Sequence, residues 1–235
     1  NFLKRLDVVL WHKTEQARGA VSMPAILRTA PSFKGPYDLT EWLRAHAAEF
    51  SGRSFESVAK ELFTHRGTKA EYVARFLEFA RALDQFTSSP LLQSVEPFGD
   101  AFEAVRWLRE HRAALGGESL RQLVVALYVG GKMAVPTELG SWQTVASAGD
   151  FFDSKPILQR APIFSEPEAL LAWGVAHHVL GQTKAASYLD LVMPLWVGGK
   201  IPRGELDRWR RAAREIAWSL RGSVRGVISR DLERA

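Results

Sequence analysis

The chain has 235 residues, of which 46% are hydrophobic and none is cysteine. This composition supports a folded core, excludes disulfides, thiolate metal sites and a cysteine nucleophile, and favours a cytoplasmic location. The formal net charge is +5, and residues 1–199 contain 21 basic and 21 acidic side chains, whereas residues 200–235 contain 10 and 5. The excess positive charge therefore lies entirely at the C-terminal end. No apolar run in the sequence approaches the roughly 18 residues that a membrane-spanning helix needs.

The first predicted element is a helix within residues 1–21. Its apolar residues recur at helical spacing and predict a buried stripe. These residues are Phe2, Leu3, Leu6, Val9 and Leu10. We expect this helix to cap the N-terminal end of the fold. The charged residues between them interrupt any apolar core of the kind that a signal peptide needs.

Three segments that follow share one pattern with a period of 65 to 66 residues. In each segment a serine stands two residues before a proline, and a phenylalanine precedes a tryptophan by nine residues and a histidine by thirteen. The matched positions are Ser22, Pro24, Phe33, Trp42 and His46; Ser88, Pro90, Phe98, Trp107 and His111; and Ser154, Pro156, Phe164, Trp173 and His177. We therefore predict three tandem repeats, at residues 22–87, 88–153 and 154–235.

Each repeat is predicted to contain a short helical turn and three helices. Serine ahead of proline is typical of a helix start, with the serine as the cap. The next helix carries the tryptophan and histidine on one face, and the one after it, such as residues 119–129, is apolar nearly all round and belongs in the core. No segment alternates as a strand does. The predicted fold is all-α, with the repeats in a solenoid-like or stacked-bundle arrangement.

The Gly-Gly-Lys sequences at Gly130–Lys132 and Gly198–Lys200 are predicted to end helices rather than to bind phosphate. A phosphate-binding loop needs G-x-x-x-x-G-K-[ST] after a strand, whereas Met133 and Ile201 follow these lysines. Glycine just past a helix end accepts the left-handed conformation, and lysine there complements the negative end of the helix dipole. We expect each sequence to mark the end of the second main helix of its repeat.

The remaining candidates for chemistry are predicted to be structural. His46, His111 and His177 occupy one position in three copies, whereas a catalytic group is needed only once. The tryptophans could stack bases, but their place on apolar faces favours packing. No histidine–carboxylate spacing indicates a metal, and no cofactor is expected. One feature that could belong to an enzyme is the pair His65–Arg66, which stands where the other copies have Gly-Gly. The pair is also explained as ordinary turn residues. We predict no catalytic residue.

The C-terminal helix carries the feature that best indicates a function. On a helical wheel its apolar residues lie on one side and its arginines on the other, within an arc of about 100°. The predicted stripe comprises Arg203, Arg210, Arg211, Arg214, Arg221 and Arg225. Arginine forks bind phosphate and carboxylate in bidentate fashion.

We therefore expect a non-catalytic binding module that contacts the backbone of DNA or RNA through these arginines. A first alternative is a protein-interaction scaffold, or a subunit of a larger protein or complex, in which the stripe receives an acidic segment. A second is a solvated face that Glu205, Asp207 and Glu215 partly neutralise.

Overall fold

The computed structural model describes residues 25–66, 68, 70–134 and 138–215, and within them it contains helices and no β-strand. The helices are α1 Ala25–Thr29, α2 Pro36–Ala45, α3 Phe55–Arg66, α4 Ala70–Ser88, α5 Pro90–Ser94, α6 Ala101–Glu110, α7 Leu120–Val129, α8 Leu139–Asp153, α9 Pro156–Gln159, α10 Pro167–Ala176, α11 Val179–Thr183 and α12 Leu189–Val197. Residues 206–215 form α13, and 3₁₀ turns cover Ala47–Phe50 and Arg203–Glu205. The prediction of an all-α chain is confirmed for these residues.

A short helix followed by three longer ones occurs in each of the three segments that the sequence pattern defines. The third segment has in addition α11, which the sequence did not predict. None of the described helices combines the length and the apolar character that crossing a bilayer requires. The predicted capping helix at residues 1–21 lies outside the described residues.

The described residues divide into two compact units. Unit 1 comprises the residues up to Pro97 together with Val125–Ala134, and unit 2 comprises Phe98–Val124 together with the residues from Val135 onward. In unit 1, α4 packs against α2 and α3. In unit 2, α8 packs against α6 and α12, which also contact each other. The division falls within α7, whose residues are buried nearly throughout, as its apolar sequence predicts.

The two Gly-Gly-Lys sequences end helices α7 and α12 in the same way. Gly131 and Gly199 have φ values of 69° and 72°, the left-handed conformation that glycine adopts without strain. The amide of Lys132 donates to the carbonyl of Leu127 at 2.8 Å, and the amide of Lys200 donates to Leu195 at 2.8 Å. These are the bonds of a Schellman cap, so the prediction that the sequences are helix ends is confirmed.

The first glycine of each pair has a different role, because it allows close packing. A Cβ atom on Gly130 would overlap the ring of Phe86 in unit 1, and a Cβ atom on Gly198 would overlap the ring of Phe152 in unit 2. Both phenylalanines lie near the C-terminal end of the last helix of their segment, α4 and α8. Each Gly-Gly pair therefore combines a packing position with a turning position.

The predicted role of the serines as caps was wrong in two segments. The cap of α5 is Ser89, whose hydroxyl accepts from the amide of Leu92 at 3.3 Å, rather than Ser88. Ser154 donates its hydroxyl to the carbonyl of Phe151 at 2.8 Å, so it belongs to the end of α8 instead of the start of α9. The preceding helix reaches farther than the pattern indicated, and Ser22 lies outside the described residues.

Candidate functional site

Helix α13 is attached to the core of unit 2 by its apolar side. Trp209 is 1% exposed and Ala213 is 4% exposed, and both belong to the buried cluster that includes Phe164 and Leu195. The indole nitrogen of Trp209 donates to the carboxylate of Glu205 at 3.3 Å. With this side buried, the helix holds its arginines at defined positions on the opposite side.

Two of the predicted arginines, Arg210 and Arg214, line an open cleft of about 620 Å³ in unit 2, which we call the α13 cleft. They are four residues apart and therefore neighbours on one helix face. Arg211 is exposed and is not among the lining residues. The helical wheel predicts that Arg210, Arg211 and Arg214 lie on the side of the helix opposite its apolar face. In the structure Arg210 and Arg214 border the cleft, whereas Arg211 faces solvent.

Lys184 supplies a third cation to the cleft from outside α13. It follows α11 directly and lies 26 positions before Arg210 in the sequence. Its backbone has φ 61°, a left-handed conformation that is uncommon for a residue with a side chain. Within the described part of the chain, Asp207 is the one acid that forms an ion pair with a cation of the cleft, and its partner is Arg210.

The lining of the cleft is mostly apolar. We use the name floor for the apolar lining residues Ala148, Phe151, Ala185, Ala186, Leu189, Met193 and Pro194; Thr144 and Ser147 also line the cleft. Asp190 is the single acid that the described residues contribute to the lining, and its Oδ2 accepts from the amide and hydroxyl of Ser187 at 2.9 and 3.1 Å. The guanidinium of Arg210 extends to within 4.0 Å of the Met193 sulfur, over this floor.

Arg203 was wrongly placed on the basic stripe. It lies in the 3₁₀ turn before α13, so the helical wheel does not extend to it. Its guanidinium binds Asp100 at 2.6 Å and Glu103 at 3.2 Å and lies over the ring of Phe102. These contacts join the turn to α6, and we assign Arg203 a structural role.

Of the acids expected to neutralise the stripe, Glu205 and Asp207 form ion pairs in the structure. Glu205 pairs with Arg208 at 2.9 Å, and Arg208 also binds Glu166. The pKa of Arg208 is raised above its usual value, chiefly by the charge of Glu166. Asp207 stands 3.8 Å from Arg210 and is 90% exposed, which makes a weak pair. Arg208 thus has two acidic partners, whereas among the described residues Arg210 has one weak ion pair, with Asp207.

Two predicted arginines, Arg221 and Arg225, lie outside the described residues. The described part of the basic surface therefore consists of Lys184, Arg210, Arg211 and Arg214.

The repeated tryptophans and histidines pack against each other in every segment. The Nδ1 atoms of His46, His111 and His177 lie 2.8, 2.8 and 2.9 Å from the carbonyl of the tryptophan four residues earlier. Because a carbonyl oxygen only accepts, each Nδ1 carries the hydrogen. Each tryptophan also contacts the phenylalanine nine residues before it, with ring centroids 5.4 to 5.7 Å apart. These rings are used in local packing, in agreement with a structural interpretation.

In the pair His65–Arg66, the described contacts of Arg66 connect two segments of the backbone. Arg66 donates to the carbonyl of Pro31 at 2.7 Å and to that of Ala30, and it lies 5.6 Å from the ring of Phe33. It therefore joins the end of α3 to the segment before α2. Among the described residues, no three histidine or carboxylate side chains come together in the manner of a metal ligand set.

Comparison with known proteins yields no match. No protein-family model, curated protein or solved structure is significantly similar to the chain. The assignment of function therefore depends on the chemistry of the α13 cleft and its surroundings.

Proposed function

We propose that the protein is a non-catalytic binding module in which three tandem helical repeats, stacked in a solenoid-like manner, support a basic site for a nucleic-acid backbone. The supporting observation is that three cations, Lys184, Arg210 and Arg214, border one cleft to which the described residues contribute a single acid, Asp190. Cationic side chains attract phosphates and release counterions when they bind them. Arg211 extends this surface along α13.

The repeat arrangement is supported by contacts that recur in the same order along the chain. The Phe–Trp–His packing occurs in all three segments. In addition, Arg44 and Arg109, each two residues after the tryptophan, donate to the last carbonyl of a Gly-Gly helix, at Val129 and Val197. The same arginine–carbonyl contact thus connects the first segment to the second and the second to the third, as expected for stacked repeats, in which each repeat contacts its neighbours.

The test is a mobility-shift or fluorescence-anisotropy titration with single- and double-stranded DNA and RNA across a range of salt concentrations. Neutralising Arg210, Arg211 and Arg214 together should weaken binding by about tenfold or more and reduce the slope of log K against log[salt] by up to about three. Arg106→Ala serves as a control, because this residue is exposed on α6 and lies outside the cleft. The proposal is wrong if the wild-type protein binds no nucleic acid at low salt.

A second function, a scaffold for protein interaction, is favoured by the outer face of α10. The position of Arg44 and Arg109 is occupied there by Val175, which is 60% exposed, and Ala172 and Ala176 are exposed beside it. Ile163, before the same helix, is 77% exposed. Exposed apolar groups are typical of a contact surface where they are contiguous, as Ala172, Val175 and Ala176 are on one face of α10.

The two functions are distinguished by the polyanion that binds. In the scaffold function the arginines receive an acidic protein segment, so a poly-glutamate peptide should bind as tightly as an oligonucleotide of equal charge. Val175→Glu should then release a protein partner that is resistant to nuclease, while leaving the affinity for an oligonucleotide unchanged.

A further inference from the structure

We propose that the α13 cleft receives one unpaired nucleotide, with its phosphate on Lys184, Arg210 and Arg214 and its base on the apolar floor. The module would then select single-stranded over double-stranded nucleic acid. This inference rests on the proposed function and specifies which form of nucleic acid the basic site binds.

The shape of the cleft supports a nucleotide rather than a bare phosphate. Its volume of about 620 Å³ lies within the range of about 300 to 1,000 Å³ that is usual for sites of small organic ligands. A flat basic patch would be sufficient for a phosphate backbone. The apolar lining around Leu189, Met193 and Pro194 in addition offers a surface for a flat, apolar group that enters together with the phosphate.

The lining of the cleft contains groups suited to each of the two parts of a nucleotide. Phe151, whose ring has the Lys155 ammonium 5.3 Å from its centroid, supplies an aromatic group, and Met193 supplies a polarisable sulfur 4.0 Å from Arg210. Both kinds of group make favourable contacts with a base. The cations stand on α13 and after α11, beside that floor. In a duplex the faces of the bases are stacked on each other, so only an unpaired base can occupy the floor while its phosphate remains at the cations.

The backbone at Lys184 provides an independent argument. A residue that follows a helix with φ 61° is most easily glycine, because a side chain there is strained. Lys184 has no partner among the described residues that would offset this strain, and its side chain borders the cleft. A lysine in this conformation at the border of the cleft is a backbone outlier from which a role in binding can be inferred.

The experiment measures anisotropy with four probes: a single-stranded 12-nucleotide thymidine oligomer, an abasic 12-mer with the same phosphates, a 12-base-pair duplex, and free thymidine monophosphate as a competitor. We expect the thymidine oligomer to bind at least about tenfold more tightly than the abasic strand or the duplex, since one stacked base contributes about 1 to 3 kcal/mol. The free nucleotide should compete only at far higher concentration, because it lacks the neighbouring phosphates.

Matched variants separate the site from general charge and from folding. Arg214→Ala should weaken binding of the oligomer more than Arg211→Ala, which removes the same charge from the same helix outside the cleft. Lys184→Gly should weaken binding while leaving the thermal midpoint unchanged or raising it, which a structural role for the lysine would not produce. Ala186→Glu, which adds an acid at an exposed position in the cleft, should abolish the preference for the oligomer over the abasic strand.

The outcomes are distinguishable. Equal affinity for the oligomer, the abasic strand and the duplex, with dependence on the arginines retained, would overturn the unpaired-nucleotide site and leave the proposed function intact. Free nucleotide binding as tightly as the oligomer would show a mononucleotide site and overturn the selection of strands. Absence of binding to all four probes at low salt would remove both proposals.

Discussion

The Nη1 atom of Arg109 donates a hydrogen bond to the carbonyl oxygen of Val197, the last residue of α12, at 2.9 Å. Carbonyls at a helix end lack partners within the helix and carry partial negative charge, so a guanidinium stabilises them. The Nη2 atom of the same group binds Asp153 at 2.7 Å, at the end of α8. One arginine of α6 thereby joins the C-terminal ends of two other helices in unit 2.

Replacing Arg109 should therefore destabilise unit 2. Arg109→Ala removes charge-assisted hydrogen bonds that are largely shielded from water, and we expect a loss of about 1 to 3 kcal/mol in the free energy of unfolding, measured in urea by tryptophan fluorescence. Arg106→Ala, on the same helix, breaks only an exposed pair with Glu110 at 3.7 Å and should cost less than about 0.5 kcal/mol. Equal effects of the two substitutions would contradict the assigned role.

The two glycines that end α12 should respond differently to alanine. Gly198→Ala places a methyl group in the ring of Phe152 and should cost about 1 to 3 kcal/mol through overpacking. Gly199→Ala meets no neighbour, but forces alanine into the left-handed region at a cost of about 1 to 2 kcal/mol.

A second substitution distinguishes these two causes. Phe152→Leu should recover part of the stability lost in Gly198→Ala and none of that lost in Gly199→Ala. Gly199→Asn should be milder than Gly199→Ala, because asparagine tolerates the left-handed region. Rescue of both alanine variants by Phe152→Leu would show that the packing argument is wrong.

Asp150 caps helix α7 from a distant part of the chain. Its carboxylate accepts from the amides of Leu120 and Arg121 at 2.9 and 3.2 Å. Asp84 accepts in the same manner from Phe55 and Glu56, at the start of α3. Asp150→Ala should cost about 1 to 2 kcal/mol, and Asp150→Asn less, because the amide oxygen retains one acceptor. Loss of stability that is equal in the two variants would indicate that the ion pair with Arg112, rather than the cap, is what Asp150 contributes.

The helical class and the helix ends could be predicted from the sequence because both are local. Apolar spacing determines which face of a helix is buried, and Gly131 and Gly199 determine where the chain turns. The error at Arg203 has a local cause as well, since a 3₁₀ turn precedes α13 and changes the angular step between residues.

The cleft and the caps could not be predicted, because their residues come together only in the tertiary structure. Asp150 accepts from amides about 30 positions earlier, and Lys184 joins Arg210 across 26 positions. No periodicity connects such residues. The left-handed conformation of Lys184 could not be predicted from the sequence either, because Thr183–Lys184 resembles an ordinary helix end.

Glu56 should make the stability of unit 1 depend on pH in the acid range. Hydrogen bonds from Arg81, together with the neighbouring Lys60, lower the pKa of Glu56 from 4.5 to about 2 against the opposing effect of burial. Because the folded state binds the proton less tightly, the stabilisation is fully present above pH 4.5 and is lost as the pH falls towards 2. Both basic partners are more than a third exposed, so after screening we expect about 1 to 2 kcal/mol.

The difference in unfolding free energy between wild type and Glu56→Gln isolates this contribution. It should be constant from pH 7 to about pH 5 and shrink between pH 4.5 and pH 2. Asp84 contributes with the opposite sign, because burial raises its pKa, so both proteins are best compared in an Asp84→Asn background. A difference that stays constant down to pH 2 would show that the carboxylate of Glu56 gains no stabilisation from Arg81 and Lys60 in the folded protein.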